Sequence, residues 1–211
     1  MEKSFIWDLD GTLFDSYPVI GRCVWESVCL CGLTLPREEL EREILQSSIY
    51  ECFLRLEREY GLSNEALHRE HHRLTALRAG EIPLMDGAEK TLTELRALGG
   101  RHFVFTNRGA TAEEILTRLG IRDYFEEVVT ALSGFPRKPS GAGVDYLTEK
   151  YGLGRVHCFY VGDRLLDVDC ARNAGVGAVL FCPAGSVVTP NGRETLRIEA
   201  LQELPQYWDR L

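Results

Sequence analysis

Asp8 and Asp10 stand two residues apart in Asp8-Leu9-Asp10-Gly11-Thr12, directly after the apolar run Phe5-Ile6-Trp7. Strand periodicity turns both carboxylates toward the same side. One carboxylate so placed could attack phosphorus, and a second beside it could move protons for the leaving group and for water. Asp163 and Asp167 are four apart at another strand-to-helix junction, where a loop acid and a first-turn acid can converge. Clustered carboxylate oxygens suit Mg2+, a hard cation that keeps several waters and takes substrate phosphate as a further ligand. Thr12, Thr106, Asn107 and backbone amides could donate to phosphate oxygens, helped by the helix N-terminus near Thr111. Lys138 could neutralise a nucleophile and developing phosphoryl charge.

Taken singly, each of these has a plain alternative. Asp10-Gly11 is a common turn dipeptide. Asp163 and Asp167 could be a helix cap and a first-turn acid, and Lys138 a solvated loop charge. What joins them is where the pattern of the chain puts them. Ser4 to Asp10 reads as a buried strand ending in acid. Periodicity is then helical from residue 15 to 83, with Ile20, Cys23, Val24 and Val28 on one stripe, Cys52, Phe53 and Leu56 on another, and Leu67, His71 and Leu74 on a third. Gly32, Pro36, Gly61 and Ser63 punctuate about four helices. After Pro83 the pattern alternates strand with helix. Asp86 is placed to cap a helix carrying Leu92 and Leu95, Arg101 to Thr106 is a strand, and Thr111-x-x-Glu114 reads as a capping box. Val128-Val129, Val156 to Val161 and Ala178 to Phe181 are the later strands, the last of them final. Such alternation predicts an α/β fold, a Rossmann-like parallel sheet covered on both faces, over residues 1–14 and 84–211, with an all-helical insertion at 15–83. Ligands of open parallel sheets bind at the carboxyl ends of the strands. Asp8, Asp10, Thr106, Asn107, Lys138, Asp163 and Asp167 all follow strands at that edge.

The chain has 211 residues and a formal net charge of −8, with 24 basic and 32 acidic side chains. That balance argues against a nucleic-acid partner, since binding there depends on Lys and Arg neutralising phosphates. No apolar run is long enough for a membrane span, and the short apolar start is stopped by Asp8, unlike a signal peptide. Seven cysteines without a CxxC pair read as reduced, buried thiols of a cytoplasmic protein. Glycine pairs such as Gly141-x-Gly143 lack the third glycine of a dinucleotide site.

DLDGTLFDS at 8–16, TN at 106–107, KP at 138–139 and GDRLLD at 162–167 resemble the four motifs of the haloacid dehalogenase superfamily. Within it the chain is most similar to phosphoglycolate-phosphatase-like hydrolases with a helical cap between the first and second motifs. The resemblance implies a Mg2+-dependent phosphatase acting on a small phosphorylated metabolite through an aspartyl-phosphate. Asp8 would be the nucleophile, Asp10 the general acid and base, and Thr106 and Lys138 would hold the phosphoryl group. Gly11, Thr12, Asn107 and Arg108 would complete the phosphate and substrate contacts. The Asp8 side chain, the Asp10 carbonyl and Asp163 would bind Mg2+, with Asp167 a further ligand or a partner of one. The cap would close over the site about hinges near Phe14 to Tyr17 and Gly80 to Leu84.

Branches of the superfamily differ at readable positions. Asp10 disfavours dehalogenation, and the absence of lysine between Lys3 and Lys90 excludes a cap-lysine Schiff base. Thr12 favours hydrolysis over mutase chemistry. A phosphotransferase or phosphomutase on the same phosphoenzyme and a non-catalytic regulatory relative remain the alternatives. Where many relatives have Lys-Pro-x-Pro, Lys138-Pro139 is followed by Ser140-Gly141-Ala142-Gly143, which implies a looser loop. His68, His71 and His72 lie at helical spacing and read as one core histidine with two exposed neighbours rather than a metal site. Arg22, Ser47, Ser48 and Arg55 are candidates for substrate contact from the cap.

Overall fold

A computed structural model describes residues 2–211. The chain divides into two compact units, one built from residues up to Asp15 together with Pro83–Leu211, the other from Ser16–Ile82.

The first unit is a six-stranded parallel sheet. Its strands are β1 (Ser4–Trp7), β2 (Arg101–Phe105), β3 (Glu127–Val129), β4 (Cys158–Gly162), β5 (Gly177–Phe181) and β6 (Leu196–Ile198), in the order β3-β2-β1-β4-β5-β6. β1 is the centre: Trp7 pairs with Val104 of β2 on one side and Val161 of β4 on the other. Each residue of β1 is buried, which is why it reads as an unbroken apolar run rather than an alternating one. In chain order, connections from β1 and β2 lead one way across the sheet and β4 and β5 follow the other way. The crevice of such a doubly wound sheet lies at the carboxyl ends beside β1. One face packs Ile6, Phe103, Phe105, Tyr160, Val144 and Leu147 into a core.

Four expectations fail here, each for its own reason. β6 was absent from the expected strands because it is three residues long, with Arg197 exposed in its middle and no apolar run to announce it. The helix Ala88–Ala97 begins after Gly87, with no side-chain cap. Asp86 instead accepts from Gln202 Nε2 at 3.3 Å, a residue far along the chain. The helix Thr111–Arg118 has no capping box, because Thr111 is its first residue rather than its cap, and its hydroxyl accepts from Arg108 Nη1 at 2.8 Å. The loop after Lys138 is not loose either. A Cβ at Gly141 would lie 2.8 Å from the Ala174 backbone, and one at Gly143 would lie 2.6 Å from the Phe105 ring. These glycines let the helix Ala142–Tyr151 press close to its neighbours, and Asn173 Nδ2 donates to the Pro139 carbonyl at 2.8 Å.

The second unit holds four helices, α1 (Tyr17–Leu30), α2 (Arg37–Gln46), α3 (Ile49–Tyr60) and α4 (Asn64–Leu77), and no strand. Ser48 and Ser63 cap α3 and α4 by accepting from Glu51 N and Ala66 N. Gly61 ends α3 at φ 70°, a left-handed turn that glycine adopts without strain. Val24, Val28, Leu40, Phe53, Leu56 and Leu67 form its core. His71 is buried there, His72 is exposed, and His68 is half-buried with its ring 4.9 Å from that of Phe53.

Candidate active site

Asp8 is the first residue beyond β1, and its amide continues the ladder to the Val161 carbonyl at 2.9 Å. The chain then turns sharply: the amides of Thr12, Leu13 and Phe14 all donate to the Leu9 carbonyl, and Gly11 takes φ 78°. That turn sends Thr12 inward, where its hydroxyl donates to Asp163 Oδ1 at 3.1 Å. Asp163 arrives at the end of β4, so the threonine ties the first strand's turn to the fourth.

Lys138 enters from the loop after β3. Its ammonium lies 2.8 Å from Asp8 Oδ1 and 2.6 Å from Asp167 Oδ1. It also lies 5.3 Å from the centre of the Tyr160 ring, whose hydroxyl donates to the Phe105 carbonyl. The other Asp167 oxygen accepts from Arg164 N at 3.0 Å, which fixes Asp167 in the first turn of the helix Leu165–Asn173. The first-turn role and the clustered role thus belong to the same side chain. Asn107 Oδ1 accepts from Lys138 N at 3.0 Å and positions the lysine's own backbone. Thr106 is buried, and its hydroxyl accepts from Arg108 N at 3.1 Å.

Carboxylate oxygens of Asp8, Asp163 and Asp167 lie within 4.8 Å of one another, the only such acidic, histidine or cysteine cluster among the described residues. The Asp10 carboxylate is outside it. Arg108 grips Asp10, with Nε 3.0 Å from each carboxylate oxygen and Nη2 2.5 Å from one.

The charges decide what the cluster could hold. Three buried carboxylates face one ammonium, leaving a formal excess of two negative charges in a site from which water is largely removed. Unpaired buried charge is costly, so this arrangement suits a divalent cation. All-oxygen donors favour Mg2+ over softer metals. The same imbalance is visible in the titration of the site. Burial pushes the Asp8 carboxyl up to about 6, although the nearby Lys138 ammonium pulls the other way. Burial disfavours the Lys138 charge, yet Asp167 and Asp8 outweigh it and hold its pKa above the ordinary lysine value. Burial, with the Asp8 and Asp167 charges, keeps the Tyr160 phenol protonated well above its usual range.

The candidates in the helical unit are engaged within that unit. Arg55 pairs with Glu43 at 2.5 Å and with Glu59 at 3.0 Å. Arg22 pairs with Glu81 at 2.9 Å, Ser48 caps α3, and Ser47 donates to the Glu43 carbonyl. Sequence reasoning had no means to find the roles of Tyr160 and Gly162. Tyr160 looks like any strand aromatic, and Gly162 matters because Asp167 lies against its Cα.

Residues 5–181 match the family model for haloacid dehalogenase-like hydrolases. Over 183 residues the chain is 26% identical to a 5'-nucleotidase of Pseudomonas aeruginosa, covering 83% of this chain and 80% of that one. Over 175 residues it is 29% identical to a phosphoglycolate phosphatase of Nitrosococcus oceani, covering 79% and 78%. A solved haloacid-dehalogenase-superfamily hydrolase of Geobacter sulfurreducens superposes with a TM-score of 0.76 at 24% identity, covering 98% of this chain and 96% of that one, and shares its fold.

Proposed function

Because the chain belongs to the haloacid dehalogenase-like hydrolases, we propose that it is a Mg2+-dependent phosphatase that cleaves a small phosphorylated metabolite through an aspartyl-phosphate on Asp8. It is a phosphoric monoester hydrolase of the phosphoglycolate-phosphatase-like kind, and the names of its relatives support a small phosphate ester as substrate. The observation that carries the mechanism is the seating of Asp8: a buried carboxylate 2.8 Å from Lys138, inside an acidic cluster with two negative charges in excess.

Asp8 attacks phosphorus in line, forming the Asp8 O–P bond as the bond to the leaving oxygen breaks. Asp10, two residues on and beyond the turn, delivers the proton to the leaving oxygen. It then takes a proton from the water that attacks the aspartyl-phosphate, which regenerates Asp8 and releases phosphate. Lys138 keeps its charge through both steps and neutralises phosphoryl oxygens. The Thr106 hydroxyl donates to those oxygens, and Asn107 holds the Lys138 backbone in register. Asp8 and Asp163, with the Asp10 main-chain carbonyl, would hold Mg2+, while Asp167 orients Lys138. The bound ion supplies positive charge that keeps Asp8 ionised and offsets the charge of the transferring group. Seven free thiols, five of them buried, support a reducing, cytoplasmic setting.

The direct test is Asp8→Asn, which preserves shape and removes the nucleophile. Release of phosphate from an aryl phosphate with Mg2+ should fall to background while the thermal unfolding transition remains cooperative. Retained turnover in that variant would sink the assignment.

A further inference from the structure

Tyr160 lies in the middle of β4, 1% exposed and level with Ile6 of β1 and Phe103 of β2. Its hydroxyl does not bond within its own level or to the neighbouring strand. It donates across the end of β1 to the carbonyl of Phe105, two residues further along β2. β1 ends at Trp7, opposite Val104, so Phe105 lies beyond the paired stretch on that side. Phe105 is buried there, and a buried carbonyl past the end of a ladder needs a donor from elsewhere. The phenol supplies it.

That carbonyl matters because of the peptide it belongs to. The Phe105 carbonyl and the Thr106 amide are two ends of one planar unit and point in opposite directions. Thr106 N donates to the Val129 carbonyl of β3 at 3.0 Å. The unit is thus held from both sides, by β3 through its N–H and by β4 through the tyrosine hydroxyl. Thr106 departs from this fixed plane, and its hydroxyl oxygen accepts from Arg108 N at 3.1 Å. A hydroxyl that accepts from one amide still has its own proton to donate. Burial, with the Asp8 and Asp167 charges, keeps the Tyr160 phenol protonated, so its donor persists through neutral pH.

We propose that Tyr160 is a positioning residue for phosphoryl transfer: through the Phe105–Thr106 peptide it aims the Thr106 hydroxyl at the phosphoryl oxygens. The inference rests on the phosphatase reading above and adds to it a side chain that never touches substrate. The tyrosine ring has a separate place, 5.3 Å from the Lys138 ammonium. Tyr160→Phe keeps that ring and removes only the donor, so it isolates the hydroxyl's effect on Thr106.

The test uses an aryl phosphate under saturating Mg2+ with the wild-type protein, Tyr160→Phe, Thr106→Val and the double variant. In Tyr160→Phe, kcat should fall about 10- to 100-fold, the range set by misplacing a reacting group by about 1 Å. KM should stay within about 2-fold, the pattern of an interaction made in the transition state. In the Thr106→Val background the same substitution should cost less than about 3-fold, because the group that it aims is already gone. Orthovanadate, which mimics the transition state, gives a second readout from Tyr160→Phe alone: its inhibition constant should rise by the factor by which kcat/KM falls. Equal losses in both backgrounds, or a slower Tyr160→Phe with unchanged vanadate inhibition, would make the hydroxyl a support of the core and overturn the proposal. So would a Tyr160→Phe or Thr106→Val protein as fast as the wild type, and these outcomes leave the phosphatase reading intact. A wild-type protein that releases no phosphate overturns that reading and the positioning role with it.

Discussion

The ammonium of Lys138 lies 2.6 Å from the carboxylate of Asp167, and both side chains are 2% exposed. A pair this deeply buried is a poor source of net stability, because desolvating two charges cancels most of their attraction. Its worth is positional. Asp167 is held from behind by Arg164 N at 3.0 Å, so Lys138 cannot follow thermal motion away from Asp8.

Removing one partner exposes the cost that the pair conceals. In Lys138→Met, Asp8, Asp163 and Asp167 would share a buried site with no cation, and stability at pH 7.5 without divalent ions should fall by about 3 kcal/mol or more. Asp167→Asn keeps an acceptor for Arg164 N and leaves Lys138 with Asp8, so its loss should be smaller. Urea unfolding of both variants checks the order. A Lys138→Met protein as stable as the wild type would contradict the charge count.

Metal dependence should follow the acidic cluster. Chelation with EDTA is expected to abolish phosphate release and excess Mg2+ to restore it. Asp163→Asn removes one carboxylate charge of the cluster while keeping an amide oxygen that can accept from Thr12. The Mg2+ concentration giving half-maximal rate should rise about 10- to 100-fold, in the range seen when a ligand or its support is lost. Isothermal titration with Mg2+ alone provides a readout independent of turnover, and unchanged Mg2+ binding would remove Asp163 from the site.

The strand ends that carry Asp8, Thr106 and Asp163 are legible from sequence because fully buried parallel strands are continuous apolar runs, and each run stops at a polar residue. What the sequence does not disclose is the partner of each side chain. Asp10 is paired with a residue 98 positions away, and Asp86 with one 116 away. Thr111 satisfies a local capping pattern, yet its hydroxyl is taken by Arg108, which a pattern of spacing has no way to foresee. Gly141 and Gly143 suggest slack in a sequence and mean close packing in three dimensions. β6 is invisible for a simpler reason: its stability comes from pairing with β5, not from its own composition.

His102 makes acid the weak side of the stability profile. Its ring is buried in the sheet core, where Nδ1 accepts from Trp7 Nε1 at 3.1 Å and must be unprotonated to do so. Burial, together with the Arg96 charge, pushes its pKa down to about 4, against 6.5 in an unfolded chain. Below about pH 6.5 the unfolded chain therefore binds a proton that the folded one refuses. Stability should fall as pH drops from about 6.5 to about 4 by about 3 kcal/mol, and this residue adds nothing further below that. His102→Gln keeps an acceptor for Trp7 and does not titrate, so urea midpoints at pH 7 and pH 5 should lie closer together in the variant. Equal pH slopes in the two proteins would show that His102 is not the group responsible.

Gly162 tests whether Asp167 acts through Lys138. A Cβ there would sit 2.4 Å from Asp167 Cγ, a distance no packed carbon pair tolerates, while the backbone dihedral is one any residue adopts. Gly162→Ala must therefore displace Asp167, whose two oxygens hold Lys138 and Arg164 N. Lys138 would shift with it, away from the position that faces Asp8. Overpacking of this kind costs about 1–3 kcal/mol in stability. The larger effect should be on the rate, since misplacing a charged group by about 1 Å can cost on the order of 100-fold. The loss should fall on kcat with little change in KM. Gly154→Ala, whose Cβ meets nothing within 4 Å, is the control for an added methyl. If Gly162→Ala is less stable but as fast as the control, Asp167 is part of the core and has no hold on the chemistry.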